Sequence, residues 1–149
     1  MLRSLLIGLS AGSRSMTPLA AVSEAAHGGH LEADNPSARL LGHPLVAAGT
    51  KALAAGELWG DKLKSAPDRI VPLGIAARVV TAGLTGAALA PRKRMLLGGA
   101  LAASAAVAAA YVTFHFRMKA LKRYGQTPSG LVEDALTVGA AQLVTRALR

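Results

Sequence analysis

The chain has 149 residues, enough for one domain, with 52% hydrophobic residues, 3% aromatic, no cysteine and a formal net charge of +9. The missing cysteines exclude disulfides, iron–sulfur ligation and thiol nucleophiles. With so few rings to fill a soluble core, the apolar content is mostly Ala, Leu, Val and Gly, which suits helices whose backbones approach closely.

The first apolar segment runs from Leu5 to Val22. Its basic start and apolar stretch resemble a signal peptide, but Arg14 interrupts it and no A-x-A site follows, so it reads as a retained helix. Within "GLSAGSRSMTPLAA", Gly12 and Ser13 can end one helix. Thr17 as N-cap, with Pro18 at the first helical position, can start another. The segment therefore reads as a broken helix with Arg14 at the break. The next stretch, "SEAAHGGHLEADNPSARLLGHP", is polar and marked by Gly and Pro, and reads as an exposed loop. Glu24, His27 and His30 in it are spaced by threes, but a glycine break separates the histidines and no matching ligand set occurs elsewhere. No metal or other cofactor is assigned.

The second segment, Leu40 to Trp59, carries His43, Lys51 and Glu57. Glu57 and Asp61 are four residues apart and share a helix face, while Trp59 suits the headgroup level of a bilayer. After the connection "GDKLKSAPDR" comes Ile70 to Ala90, with Arg78 inside it, and then the tight turn "APRKR". Met95 to Phe114 is a run of 20 residues without a charge, about 30 Å long as a helix, the thickness of a hydrocarbon core. A basic helix extension follows, broken at Gly125. The last segment, Leu131 to Leu148, follows Ser129 as a candidate cap, with Glu133 and Asp134 in or just after its first turn.

The basic residues gather beside apolar runs, as Arg92-Lys93-Arg94 and as Arg117, Lys119, Lys122 and Arg123. That pattern fits anionic lipid headgroups, and no nucleic-acid motif accompanies it. The expected fold is all-α: a single integral membrane domain over residues 1–149, a polytopic transmembrane bundle of about five hydrophobic helices with the first one broken. Small residues at helical spacing (Gly8 and Gly12; Gly74, Ala82 and Gly86; Gly98 and Ala102) permit close helix contacts. An Arg-bearing helix precedes acidic residues in both halves, an echo of the inverted repeats of transporters.

Charges inside such a bundle must face protein, so Arg14, Glu57, Asp61, Arg78, Glu133 and Asp134 form the expected buried polar constellation. One reading makes Arg14 and a helix N-terminus an anion- or substrate-facing element of a small transporter or channel. The alternative is a non-transporting scaffold or partner-binding subunit in which Arg14 simply pairs with Glu57 or Asp61. A third is a metal-dependent lipid-phosphate enzyme using Glu57 and Asp61. No hydrolase, nucleotide-binding or metalloprotease motif is present, and no catalytic residue is assigned.

Four stretches, "GLSAGSRSMTPLAA", "GELWGDKL", "RVVTAGLTGAAL" and "LVEDALTVGAA", together resemble a family of small bacterial integral membrane proteins, domain-of-unknown-function family 4126. The resemblance implies a multi-pass protein of the bacterial inner membrane and no particular activity. If five helices span and the N-terminus is inside, eight basic residues fall inside and six outside, with Arg14, Lys51 and Arg78 within segments. So weak a bias under the positive-inside rule suggests a miscounted helix, a re-entrant segment, or insertion both ways as an antiparallel dimer. The abundance of small residues favours a homo-oligomer.

Overall fold

The computed structural model describes residues 1–60 and 71–146. Those residues form an all-helical fold: α1 (Leu2–Ser13), α2 (Met16–His27), α3 (Pro36–Leu41), α4 (Pro44–Gly60), α5 (Pro72–Leu89), α6 (Met95–Tyr124) and α7 (Gln126–Arg146). A short 3-10 turn, Arg92–Arg94, joins α5 to α6, where the tight turn was expected. Among the described residues, two stretches are long and apolar enough to cross a membrane, Pro72–Leu89 and Arg92–Tyr124.

Several boundaries differ from the sequence expectation. Ser15 is the N-cap of α2, so Thr17 and Pro18 lie inside its first turn. There the missing N–H of Pro18 is one of the amides a helix start leaves unpaired. The polar stretch after Val22 is not one loop, because α2 continues to His27 and α3 forms within it. Asn35 initiates α3, its side chain accepting from the amides of Ser37 and Ala38 with Pro36 next in line. The basic extension does run helically to Tyr124, and Gly125 takes φ +83° before α7 begins at once. Glu133 and Asp134 consequently sit in the second turn of α7 or beyond it, and the first turn is free of acids.

Paired contacts fix the direction of each helix. Ser4 reaches the Gly86 carbonyl and Arg78 reaches that of Gly12, so α1 and α5 are antiparallel. The spaces facing Gly8 and Gly12 are closed by Ala102 and by Ala106 with Ala109, which makes α1 parallel to α6. Arg3 bonds the Val144 carbonyl and Ser13 bonds Thr137, so α7 runs against α1. Met16 meets Glu57 while Glu24 meets Lys51, so α4 runs against α2. Ser23 near the end of α2 bonds Leu41, and Asn35 bonds Ala87 and Ala90 at the end of α5. The far end of α2 therefore returns to the end of the bundle where α1 starts.

The first apolar segment thus doubles back as a helical hairpin with Arg14 at its tip. Each arm has 12 residues, about 18 Å at 1.5 Å per residue, and reaches only part of the way along α6. The echo between halves does not become matching elements either, since Arg14 caps a hairpin and Arg78 lies inside the continuous helix α5.

Packing inverts the usual distribution. Around a few buried aliphatics such as Ile7, Val22 and Leu41, the interior is built mostly from small and polar residues such as Ala82, Ala102, Ala106, Ser4, Ser23 and Thr85. Leu45, Leu73, Leu96, Val112, Leu136 and Leu143 point outward, each more than half exposed. In water that arrangement would leave extensive apolar surface unburied. Along the α1–α6–α5 seam, a Cβ on Gly12 would lie 2.8 Å from the Ala106 carbonyl, and one on Gly98 2.7 Å from that of Gly86. Glycine is needed there because backbones touch.

Candidate functional site

The tip of the α1–α2 hairpin gathers most of the charges the sequence singles out. Only Arg14 separates α1 from the N-cap of α2, and it takes an extended conformation, φ −139° and ψ 121°. The break leaves carbonyls pointing out of the end of α1 and amides pointing out of the start of α2. Each end is met by the opposite charge. The Glu57 carboxylate accepts from the Ser15 amide at 2.9 Å, the Met16 amide at 2.9 Å and the Ser15 hydroxyl at 3.0 Å. The Arg78 guanidinium donates to the Gly12 carbonyl at 3.1 Å and, on its own helix, to Gly74 at 2.9 Å. An anion at a helix N-terminus and a cation at a C-terminus both complement the helix dipoles.

Arg14 is the largest fully buried side chain among the described residues, with 1% of its surface exposed. It forms an ion pair with Asp134 on α7 and reaches the Glu57 backbone carbonyl at 3.5 Å. One helical turn away, Ser13 and Thr137 share a hydrogen bond of 2.9 Å. Glu133, adjacent to Asp134, pairs with Arg117 of α6 at 3.0 Å, both side chains being largely buried. The α6–α7 connection thereby holds its own ion pair beside the hairpin tip. A cavity of about 290 Å³ lies next to it, lined by Ser13, Thr113, Phe116, Arg117 and Glu133 among others.

Of the expected constellation, Arg14, Glu57, Arg78, Glu133 and Asp134 converge on this region, while Asp61 lies outside the described residues. Of the two acids expected to answer Arg14, Glu57 and Asp61, only Glu57 is among the described residues. Arg14 pairs with Asp134 rather than bonding the Glu57 carboxylate, because Glu57 is spent on the amides of α2. Gly12 and Thr17 flank the break as expected, but Ser15 takes the capping position. Ser13 ends α1, as its place beside Gly12 suggests, and both Ser13 and Ser15 are hydrogen-bonding groups of the tip. Sequence reasoning placed Arg117 at the headgroups. Arg117 and Glu133 are equidistant from Gly125, and that symmetry would have marked them as partners across a helical turn.

The histidine cluster is dispersed. Glu24 pairs with Lys51, and His27 contacts the Gly42 carbonyl at 3.0 Å. Among the described residues no three His, Asp or Glu side chains gather as a metal site. No protein-family model matches the chain, and neither a curated protein nor a solved structure is significantly similar to it.

Proposed function

We propose that the chain is a small transporter-like protein of the bacterial inner membrane, of the kind represented by domain-of-unknown-function family 4126. In this reading α4 to α7 cross the bilayer and α1–α2 enters as a re-entrant pair. Irregular backbone at membrane depth is tolerated where protein surrounds it, and the tip at Arg14 meets that condition. The outward leucines and valines face lipid or a second copy in a homo-oligomer.

The observation that carries the transport reading is the Glu57 carboxylate held by two backbone amides and a hydroxyl beside a buried arginine. Discontinuous helices of transporters hold substrate carboxylates in this way. The internal carboxylate here occupies a seat that a small monovalent anion fits, so the solute class is a small carboxylate or a halide. The test is current across proteoliposomes on a solid support, driven by acetate and by chloride gradients. A current that falls at least tenfold in Glu57→Gln and in Arg14→Lys, with both variants folded, supports the reading. Currents equal to protein-free liposomes for every anion sink it.

A scaffold role is the second reading, favoured by the matched charges of Arg14 with Asp134 and Arg117 with Glu133. It expects no anion-dependent thermal shift, and expects assembly to survive exchange of Arg14 and Asp134 for one another.

A further inference from the structure

We propose that the lateral cleft between α2, α4 and α7 is a binding site for one anionic phospholipid. Both α4 and α7 pack on α2, but they do not pack appreciably on each other. The gap between them is a cavity of about 450 Å³ floored by α2. Its walls are apolar, from Ala54 and Leu58 of α4 and Val138 and Ala141 of α7. At the end of the bundle where α2 finishes, Lys51, Glu24 and Arg146 rim the opening. Lys51 is paired with Glu24, and the charge of Arg146 also acts on that one carboxylate, so two cations share a single acid. The rim therefore carries one net positive charge, which a phosphodiester matches.

The floor supplies an independent observation. Thr50, Thr81, Thr85, Thr113, Thr137 and Thr145 each return their hydroxyl to a carbonyl three or four residues earlier. Thr17 lies in the first turn of α2, where the residues three and four positions earlier are beyond the break. Its hydroxyl is buried, the residue being 7% exposed, and it has no hydrogen-bond partner among the described residues. A buried hydroxyl left unsatisfied is costly, and this one lines the cleft. It sits two helical turns below Glu24, about 10 Å along α2. The long side chains of Lys51 and Arg146 and a glycerol backbone cover that distance between them. The anionic headgroup is thus assigned to Arg146 and Lys51, the ester carbonyl to the Thr17 hydroxyl, and the start of the acyl chain to the apolar walls beside Thr17, Leu58 and Val138.

The test is thermal stability of the detergent-purified protein titrated with dioctanoyl phosphatidylglycerol. Dioctanoyl phosphatidylcholine and glycerol 3-phosphate serve as separate arms. Saturable stabilisation by phosphatidylglycerol alone is expected, with the apparent Kd raised roughly fivefold by Thr17→Val, the yield from one hydrogen bond. Thr17→Ser should restore it, and Arg146→Gln, an exposed change, should weaken binding at least as much as Thr17→Val. Equal stabilisation by phosphatidylcholine would remove the headgroup assignment and overturn the proposal. Stabilisation by glycerol 3-phosphate at the same concentration would make the site one for a free anion. An Arg146→Gln protein that binds as wild type does would overturn it too.

Discussion

Arg14 and Asp134 illustrate what a buried ion pair does and does not contribute. Taking both charges out of water costs nearly what their attraction returns, so the pair adds little net stability. Removing one partner is different, because the other charge stays buried and unanswered. Arg14→Met should lower stability by about 3–5 kcal/mol, read as a large drop in unfolding temperature in detergent. The double variant Arg14→Met, Asp134→Leu should recover most of that loss. If the double variant is as unstable as the single one, the unanswered charge of Asp134 is not what destabilises Arg14→Met. Asn35 makes a second residue-scale case, since it is fully buried and its amide serves two helices. The oxygen caps the start of α3, while the nitrogen donates to Ala87 at 2.8 Å and Ala90 at 2.9 Å, at the end of α5. Asn35→Ala forfeits both functions and should cost about 1–3 kcal/mol. Asn35→Asp keeps the cap but sets a buried carboxylate oxygen against the Ala87 and Ala90 carbonyls, and should cost at least as much as Asn35→Ala. Asp134 was expected in the same constellation as Arg14 but not as its partner, and the Asn35 cap was not foreseen. The Asn-Pro-Ser sequence does signal a helix start, but nothing in it says that the amide's other end will meet α5, which lies about fifty residues on.

At the scale of elements, the α1–α6–α5 seam was legible and the α2 boundary was not. Glycines at helical spacing announce close contact, and Gly8, Gly12, Gly86 and Gly98 all prove to face backbone. Spacing alone does not tell a contact glycine from an idle one, however, and Gly139 shows the difference. It lies within α7 with open space where a Cβ would go. Gly139→Ala should therefore stabilise by about 0.5–1 kcal/mol through helix propensity. Gly12→Ala should destabilise by about 1–3 kcal/mol, because α1 must move away from α6. Unfolding temperatures of the two single variants check this, and equal effects would mean that the seam is not close-packed at Gly12. The same seam explains why α1 and α5 hold fixed heights beside α6. Gly12 must stay against Ala106 and Ala109 for its carbonyl to meet Arg78, so packing of small residues positions the charged tip.

For the whole molecule, the question is how many times the chain crosses from one end to the other. The break at Arg14 was visible as a proline, two serines and a glycine around an arginine, but hydrophobic periodicity carries no direction. One extended residue between two helices looks the same in sequence whether the chain continues or turns back. The contacts decide for turning back: Ser4 lies level with Gly86, while Ser23 and Asn35, on the far side of α2, lie at that same end. The segment between α2 and α4 then shares an end with the N-terminus and with the Arg92–Arg94 turn, where the Arg92 amide bonds Glu32 at 3.3 Å. A chain of five alternating spans would instead put the N-terminus and Glu32 on opposite sides. The absence of native cysteines makes the distinction measurable. Single cysteines at Leu2, Glu32, Lys93 and Lys122, each exposed, can be labelled with an impermeant thiol reagent in intact cells and in lysed membranes. The hairpin requires Leu2, Glu32 and Lys93 to label from one side and Lys122 from the other. Labelling of Leu2 with Lys122, opposite Glu32 and Lys93, would mean that α1 and α2 run straight through. Arg14 would then no longer be the tip of a re-entrant pair. Partial labelling of every site from both sides would mean that the chain inserts in both orientations. That outcome keeps the hairpin only if Leu2, Glu32 and Lys93 label to the same fractional extent.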